Sequence, residues 1–504
     1  MLDSSAVDRQ EKRLRKLTGI LQAAQALVAE RDLDRLLRLI VQTAAQVVEA
    51  DRCSLFLLDH QNGELWSKFA QGVGMKEIRV PMGRGIVGAV AQTNKTINIP
   101  DAYEDPRFNP DVDKQTGYRT RSILCVPMRS LEGEVVGVLQ ALNRTGGDPF
   151  LPDDEELLMA LGGQAAAAVN NALLHNEIEQ LFEGFVRASV VAIEARDPTT
   201  AGHSARVATL SVGLADALPR AGYSAGRWKN QSLSFQERQE LRYAALLHDF
   251  GKVGVRENVL VKANKLEPLE LEGVRTRFDA IVAQEELAAE RNKVQALNTL
   301  PRKEARAAVV RIEAALTKRR DQIASELEFI VGCNQPTVLT EGTFDRLGFI
   351  AQGRFQSSLS GEVRPFLTEN EVIKLSIRKG SLTASERREI ESHVSHTYRF
   401  LMQIPWTRAL RHVPEIAYGH HEKLTGKGYP RALPEQQILL PTRMMTISDI
   451  YDALTASDRP YKKAIPRQKA YDILSDEAMR GEVDADLLKV FIESDVPGRS
   501  QSGG

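Results

Sequence analysis

Two adjacent pairs of residues in the second half of the chain have the chemistry of metal ligands. His248-Asp249 ends an apolar, helical segment, and His420-His421 precedes a glycine-containing loop. Either pair alone is weak evidence, because a histidine on a helix is more often a core residue with a hydrogen-bond partner than a ligand. Together they are stronger evidence, since burying so many ionisable groups is costly unless they share a cation.

Three further side chains, His203, His393 and Asp449, extend this set of nitrogen and oxygen donors on helical apolar patterns. Imidazole and carboxylate ligands suit Fe, Mn or Zn. The three cysteines, at 53, 125 and 333, are too far apart in the sequence to suggest a thiolate site. We therefore expect two divalent metal ions, Fe or Mn, with Zn as the alternative.

Asp249 is predicted to bridge the two ions. Two adjacent residues cannot face one metal from the same side of a helix, but both can be ligands when one carboxylate is shared between two cations. Lys252 comes three residues later and returns to the side of Asp249. Its charge there could neutralise a phosphate oxygen in a transition state. Without the neighbouring pair, Lys252 would be read as an ordinary surface lysine.

Length and composition limit the class of protein. A chain of 504 residues exceeds what one hydrophobic core supports, so two or three domains are expected. The net charge of -1 gives no general attraction to a nucleic-acid polymer or to an anionic membrane. The first residues lack the apolar core of a signal peptide, and no apolar run reaches about 18 residues. We therefore expect a cytoplasmic protein that binds neither partner.

The elements that must position the donors change along the chain. Short apolar or alternating runs at 53–58, 76–82, 97–100, 121–128 and 135–142, separated by turn residues, predict an antiparallel sheet with flanking helices, an α+β domain. From 153 to 196 the pattern is one long helix, and beyond 197 it stays helical. A long helix between domains usually pairs with a second copy, so we expect a homodimer. The alternative is a helix that folds back on its own domain.

The second half resembles the HD-GYP family of phosphodiesterases. The motifs DPTTAGHSARV, HDFGKVGV, LTASERREIESH, HHEKLTGKGYP and SDIYDALTASDRPYKK occur in the family's order within 186–264 and 376–475. The resemblance implies metal-dependent hydrolysis of cyclic di-GMP, or of a related cyclic dinucleotide, by an all-α bundle. The metal ligands it implies are His203, His248, Asp249, His393, His420, His421 and Asp449. It also implies that Asp249 is the metal bridge and Lys252 a phosphate contact, that Gly428, Tyr429 and Pro430 form a substrate loop, and that Arg459 is a substrate-side cation.

Three positions depart from the family pattern. Thr199 stands where some members have a glutamate that holds a third metal, which favours two metals here. Thr425 replaces an aspartate that orders the loop. His393 follows Asp249 by 144 residues rather than a few tens, because a charged helical segment, 263–375, is inserted. We interpret its first two-thirds as a helical hairpin broken at 298–301, after which Thr383 and Glu386 form a capping box.

Residues 31–175 resemble a GAF domain of the kind found in cyclic-nucleotide phosphodiesterases. The resemblance runs through DRCSLFLLD, GIVGAVAQTNKTINIPDAYEDPRFNPDVDKQTGYRTRSILCVPM, GVLQALNR and FLPDDE. That subgroup has an Asn-Lys, a gap, a phenylalanine and an Asp-Glu, which correspond here to Asn143-Arg144, Phe150 and Asp154-Glu155. An ion pair between Arg144 and Asp154 would join the last strand to the connector helix and so link ligand binding to it. The alternative is a fixed structural salt bridge.

The GAF resemblance implies a pocket for a cyclic mononucleotide or another small ligand. Ser54, Phe69 and Thr116 match pocket positions. Backbone N–H groups from Ile86 to Ala89, at a predicted helix N-terminus, would bind the phosphate. Ala70 stands where binders of cyclic GMP place an aspartate, so cyclic AMP and other ligands stay open.

These patterns divide the chain into seven segments. They are an N-terminal helix (1–30), a GAF sensor domain (31–175), a connector helix (176–196), a first HD-GYP segment (197–262), a helical insertion (263–375), a second HD-GYP segment (376–495) and a disordered tail (496–504). The function predicted is a cyclic-dinucleotide phosphodiesterase regulated through its GAF domain. The alternatives are a catalytically inactive HD-GYP sensor or scaffold and, less favoured, a phosphohydrolase for another nucleotide.

Overall fold

The computed structural model describes residues 18–22, 24–30, 32–60, 62–67, 78–197, 201–357, 360–456 and 464–501, without the side chains of 112, 115, 116, 223, 500 and 501. The chain divides into two compact units, Met1–Glu183 and Gly184–Gly504. The first is α+β and the second is almost entirely helical, which confirms the predicted fold class.

The N-terminal unit is built on one six-stranded antiparallel sheet in the order β3-β2-β1-β6-β5-β4. Its strands are β1 (Ala50–Asp59), β2 (Glu64–Ser67), β3 (Ile78–Pro81), β4 (Ile97–Ile99), β5 (Ile123–Arg129) and β6 (Val135–Arg144). After helical residues at 18–22 and 24–29, three of its helices are α1 (Leu33–Val47), α2 (Gly85–Thr93) and α3 (Pro110–Thr116). Strand β2 was not predicted, because its two apolar residues, Leu65 and Trp66, are adjacent and show no alternating pattern.

Alternation along β1 separates two cores. Cys53, Leu55 and Leu57 join a core with α1 and the start of the long helix, whereas Phe56 faces a second core that contains residues of α2. Cys53, Cys125 and Cys333 are free and buried.

Helix α4 (Pro152–Arg196) is 45 residues long and continues from the first unit into the second. Among the residues described, it is the one helix long and apolar enough to cross a membrane by length and composition. Half of its most apolar stretch is buried inside the protein.

The helical unit consists of two sets of helices with an insertion between them. The helices before the insertion are α5 (His203–Ala217), α6 (Phe235–Leu247) and α7 (Glu257–Leu260); those after it are α12 (Ala384–Glu391), α13 (His393–Leu401), α14 (Val413–Tyr418), α15 (Leu440–Thr455), α16 (Arg467–Met479), α17 (Ala485–Glu493) and α18 (Val496–Gln501). Short 3-10 turns, including Phe250–Gly254, join several of them.

The insertion contains the predicted helical hairpin and an additional small subdomain. Its elements are α8 (Pro268–Thr299), α9 (Arg302–Cys333), α10 (Glu341–Ala351), β7 (Arg354–Gln356), β8 (Val363–Pro365) and α11 (Glu369–Leu375). Phe278, Ile323 and Phe366 belong to a hydrophobic core formed by residues 266–375. The insertion therefore has a core of its own, and the strand pair β7–β8 was not predicted.

The chain returns from the insertion to the second set of helices at α12. The predicted capping box is present, because the Thr383 hydroxyl accepts from the Glu386 backbone N–H while the Glu386 carboxylate accepts from the Thr383 N–H. Glu386 also pairs with Lys262 at 2.7 Å, and the Ser381 hydroxyl donates to the Lys262 carbonyl. The two ends of the insertion therefore meet beside α12.

The predicted disordered tail is wrong for the residues described there, because Val496–Gln501 forms helix α18. Val496 is buried, and the helix packs against α5 and α17. The six-residue segment was overlooked because it contains one proline, one glycine and only one apolar anchor.

Candidate metal centre

The helix ends of the C-terminal unit place the predicted donors around one interior space. His203 is the first residue of α5, His248 and Asp249 follow the last residue of α6, and His393 begins α13. His420 and His421 follow α14, and Asp449 lies on α15. All seven side chains are buried except that of His421, which is half-buried.

The donor atoms form overlapping groups of the size of a metal site. Within each of three groups, the potential ligand atoms lie within 4.8 Å of one another. The groups are His203–His248–Asp449, His248–Asp249–His420 and His393–His420–His421. Two donors that share a cation at about 2.1 Å lie roughly 3 to 3.5 Å apart. The distance of 3.2 Å between His203 Nε2 and Asp449 Oδ1 is of this kind.

Three imidazoles are oriented so that Nε2 can bind a cation. Nδ1 of His248, His393 and His420 lies 2.8, 2.6 and 2.6 Å from the backbone carbonyl three residues earlier. That contact assigns the proton to Nδ1 and leaves the lone pair on Nε2. Each of these Nε2 atoms is buried without a hydrogen-bond partner, which is costly in an interior unless a cation satisfies it. The residues present therefore fit a metal site.

Asp249 faces both halves of the donor cluster with different oxygens. Its Oδ2 lies 3.4 Å from His248 Nε2 and 3.7 Å from His203 Nε2, whereas Oδ1 lies 3.3 Å from His393 Nε2. Because one oxygen faces His203 and His248 and the other faces His393, the Asp249 carboxylate has the geometry required of a ligand shared by two cations.

The electrostatics of the cluster keep most of its donors in the ligand form. Burial lowers the pKa of His248, of His420 strongly, and of His421 to about 4, so these imidazoles are neutral. For Asp249, burial alone would raise the pKa, but the charge of Lys252 is the largest of the effects that outweigh it, and the pKa is held well below its usual range. The carboxylate is therefore ionised.

His203 is the exception. Burial alone would lower its pKa, but hydrogen bonds to Asp449 and Asp452 outweigh that effect and raise the pKa to about 9. In the metal-free protein, therefore, His203 keeps a proton that neutralises part of the carboxylate charge around it.

A consequence is that metal affinity should increase with pH. A metal ligand must lose its proton, so binding at pH 7.5 should release the proton of His203, and affinity should rise by up to about tenfold per pH unit until pH 9 and then level off. Competition for Mn²⁺ with a chromophoric chelator between pH 6.5 and 9.5 measures this slope. An affinity that is constant from pH 7 to 9 would show that His203 is not a ligand.

Lys252 lies beside the cluster on the 3-10 turn that follows Asp249. Its Nζ is 2.9 Å from Asp249 Oδ2 and 3.2 Å from Asp197 Oδ2. Burial alone would lower the pKa of Lys252, but the two carboxylates outweigh it and raise the pKa, so the ammonium is charged.

The Gly428-Tyr429-Pro430 loop lies against His421. The ring of Tyr429 is 4.8 Å from that of His421, and the Tyr429 N–H donates to the His421 carbonyl. A Cβ at position 428 would lie 2.3 Å from the backbone nitrogen of Lys423. Gly428 is therefore required for the loop to approach that backbone so closely. The Tyr429–Pro430 peptide bond is cis.

The same loop is held without an aspartate at position 425. Buried Glu422 accepts from the N–H groups of Arg431 and Leu433 at 2.8 and 2.9 Å, and Thr425 forms a backbone bridge with Pro434. Thr425 therefore leaves the loop ordered by other contacts. Arg459 and Thr199 lie outside the described residues.

Several supporting residues were missed from the sequence. The buried Asp452 accepts from Arg206, and its Oδ2 lies 2.7 Å from His203 Nδ1, so it orients that ring. The Thr397 hydroxyl donates to the His248 carbonyl and accepts from the Gly251 N–H, which joins α13 to the turn. Asp452 is three residues after Asp449 on the same helix, and this i,i+3 spacing was the available signal.

Few of the predicted GAF ligand residues can be placed in a pocket. Ser54 is buried on the side of β1 that faces α2, and Ile86 is buried and Ala89 half-buried in the first turns of α2. Phe69, Ala70 and the side chain of Thr116 lie outside the described residues.

Asn143 and Arg144 make structural contacts at the end of β6. The Asn143 carboxamide accepts from the Arg121 N–H and donates to the Arg119 carbonyl, which holds the neighbouring loop. Arg144 Nε lies 2.9 Å from Asp154 Oδ2, and both side chains are largely buried. The predicted ion pair between β6 and α4 is therefore present.

Comparison with known proteins divides the chain in the same way. The family model described as GAF domain matches residues 32–169, and two models described as HD domain match 200–326 and 369–487. The two HD matches include all seven donors, and the first extends into the insertion.

Similar proteins match a limited stretch of the chain. This chain is 39% identical over 166 residues to the dual 3′,5′-cyclic-AMP and -GMP phosphodiesterase 11A of Takifugu rubripes. The match covers 31% of this chain and 18% of that protein. The chain is 36% identical over 160 residues to the probable 3′,5′-cyclic phosphodiesterase pde-5 of Caenorhabditis elegans, covering 29% and 22%. The chain thus spans less than a quarter of either relative.

Among solved structures, the GAF domain of a phosphoenolpyruvate-protein phosphotransferase from Coxiella burnetii matches with 25% identity and a TM-score of 0.30, covering 33% of this chain and 98% of that one. With the family matches and the observed architecture, the chain contains a GAF domain in its α+β unit and HD-type domains in its helical unit.

Proposed function

We propose that the chain is a metal-dependent phosphodiesterase of the HD-GYP type that hydrolyses a cyclic dinucleotide, cyclic di-GMP. The observation that carries this proposal is the convergence of seven nitrogen and oxygen donors, with three buried Nε2 atoms left unpaired. A pair of divalent cations held there would polarise a phosphoryl oxygen and activate a water molecule.

The protein's own residues would bind and orient the substrate. Asp249 lies between His248 and His393 and would be shared by the two cations. The charged Lys252 lies beside Asp249, where it would contact a phosphate oxygen. Tyr429, whose ring is tilted against that of His421, offers an aromatic surface at the edge of the cluster for a nucleobase. A cyclic dinucleotide has both features, a phosphodiester and two bases.

A second candidate substrate is a 3′,5′-cyclic mononucleotide, because the similar proteins are named as phosphodiesterases for such compounds. Their aligned stretches, 166 and 160 residues, can include the GAF match or one HD match but not both. Residues 31–175 resemble the GAF domains of cyclic-nucleotide phosphodiesterases, which favours the GAF match. We therefore assign that similarity to ligand binding in the GAF domain rather than to the reaction.

The test is hydrolysis by the purified full chain of cyclic di-GMP, cyclic AMP and cyclic GMP with Mn²⁺ or Fe²⁺, together with its metal content. Two metals per chain and turnover of cyclic di-GMP are expected. Turnover of a cyclic mononucleotide alone would favour the second candidate. Two metals without turnover of any cyclic nucleotide would favour a sensor or scaffold.

The GAF domain would regulate this activity by binding a cyclic mononucleotide. Arg144 and Asp154 join β6 to the first turn of α4, the helix that continues into the catalytic unit. A ligand that shifts β6 would therefore move α4 through this pair, and the linkage would be an energetic coupling between two sites.

Arg144→Ala should reduce the effect of the GAF ligand on the rate. We expect the ratio of rates with and without cyclic AMP or cyclic GMP to approach one, while the basal rate stays within about twofold, because the metal centre is untouched. Arg79→Ala, which removes a half-exposed ion pair in the same unit, is the matched control. An unchanged ratio in Arg144→Ala would assign the pair a purely structural role.

A homodimer would place two such helices side by side. Leu174, Ile178, Leu181 and Phe185 are exposed on α4 at heptad spacing, with exposed fractions of 42 to 76%. This stripe suits a parallel two-stranded coiled coil, and sedimentation of a Leu181→Glu variant as a monomer would support it.

A further inference from the structure

Lys252 is held between two carboxylates that come from different regions of the chain. Its Nζ lies 2.9 Å from Asp249 Oδ2, within the donor cluster, and 3.2 Å from Asp197 Oδ2, outside it. The Lys252 side chain is 16% exposed and that of Asp197 5%. Both contacts are therefore shielded from water, where charge-assisted hydrogen bonds direct a side chain most effectively.

The number of donors on the ammonium makes this arrangement directional. A lysine ammonium has three N–H groups in a tetrahedral arrangement. With two of them committed to Asp249 and Asp197, the direction of the third is fixed, and that N–H is the one left for a phosphate oxygen. If the Asp197 contact were lost, the flexible four-carbon stem could rotate about its remaining partner.

Asp197 is attached to the end of the long helix. Its backbone N–H donates to the Ile193 carbonyl at 3.0 Å, which closes the last turn of α4. Ile193 is buried, so this turn is anchored by packing. Arg196 also pairs with Glu257 at 3.1 Å, beside the turn that carries Lys252. A rotation of the end of α4 would therefore move the Asp197 carboxylate.

We propose that Asp197 is a positioning residue through which the C-terminal end of α4 aims the Lys252 ammonium at the phosphate of the substrate. The inference rests on the proposed function for the role of Lys252 and deepens it by naming the contact through which the connector helix reaches the site. Asp197 acts through Lys252 and touches no reacting atom.

The test is a double-mutant cycle on the metal-loaded full chain with inorganic phosphate as the probe. Asp197→Ala should weaken phosphate binding about tenfold with two metals per chain retained, and Lys252→Met should weaken it about tenfold or more, because each removes a charge-assisted contact. The double variant should be no weaker than Lys252→Met alone. Asp197→Asn, which keeps an acceptor, should recover part of the loss, and Asp216→Ala on α5 is the control.

Three results would overturn the proposal. They are additive losses in the double variant, wild-type phosphate affinity in Asp197→Ala, and loss of metal from Asp197→Ala. Ile193→Ala, which loosens the helix end without removing a charge, should give part of the same loss, and full phosphate affinity in that variant would refute the link to α4. Since the probe is phosphate binding, the result stands apart from whether the protein hydrolyses cyclic di-GMP.

Discussion

Replacing Asp249 with alanine should leave the purified protein without its metal pair and lower turnover by at least about 1,000-fold. The size follows from the loss of a shared ligand, since metal assistance contributes several kcal/mol and each 1.36 kcal/mol is a factor of ten. Asp249 is the carboxylate that faces both donor groups, with Oδ1 toward His393 and Oδ2 toward His248. Metal content by elemental analysis and initial rates on cyclic di-GMP measure the two losses.

Two further variants make this result specific. Asp249→Asn keeps the shape of the side chain and should also lose metal, which separates the missing charge from any folding defect in the alanine variant. Asp216→Ala changes an exposed aspartate on α5 and should keep both metals and full turnover. Two metals per chain in a folded Asp249→Asn variant would contradict the bridging assignment.

Gly251→Ala should destabilise the C-terminal unit by roughly 3 kcal/mol and separate His393 from Asp249. A Cβ at this position would lie 1.9 Å from the His393 carbonyl oxygen and 2.5 Å from the Thr397 nitrogen, and both are backbone atoms that cannot rotate away. Helix α13 would have to move off the turn, taking the His393 ring with it. Urea unfolding and metal stoichiometry measure the two effects.

The control is a glycine in a helix with open space around it. Apart from the helix's own backbone and the two neighbouring residues, no heavy atom of the described residues lies within 4 Å of a Cβ built on Gly273 in α8. Gly273→Ala should therefore stabilise that helix by about 0.5 to 1 kcal/mol. A Gly251→Ala protein with unchanged stability would mean that α13 and the turn are farther apart than these distances require.

The donors of the candidate site could be predicted from sequence because their chemistry is rare in an interior. Paired ionisable residues on apolar helices, such as His248-Asp249, need a shared cation, and this physical constraint is visible without coordinates. Asp197 carries no comparable signal, and Asp452 has only its i,i+3 spacing from Asp449. Each is a single aspartate near a helix end or on a helix face, and it becomes informative only once folding brings it to Lys252 or His203.

The fold, too, could be predicted only in part from the sequence. The sheet, the long helix and the helical hairpin follow from periodicity over many residues, and the Thr383–Glu386 cap follows from a local rule. The strand β2, the β7–β8 pair and α18 are three to six residues long, and tertiary partners rather than local pattern stabilise them. In α18, for example, the burial of Val496 against other helices holds the helix in position.

The two ends of the insertion lie close together, so the insertion can be removed or replaced at one place in the structure. Lys262 contacts Ser381 and Glu386, and the Lys265 ammonium donates to the Leu375 carbonyl at 3.2 Å, so the polypeptide leaves and re-enters at nearly one place. Closing so short a gap with a few linker residues has a small entropic cost. Excision of the subdomain, or its exchange for a reporter protein, should therefore leave the helices around the donor cluster folded.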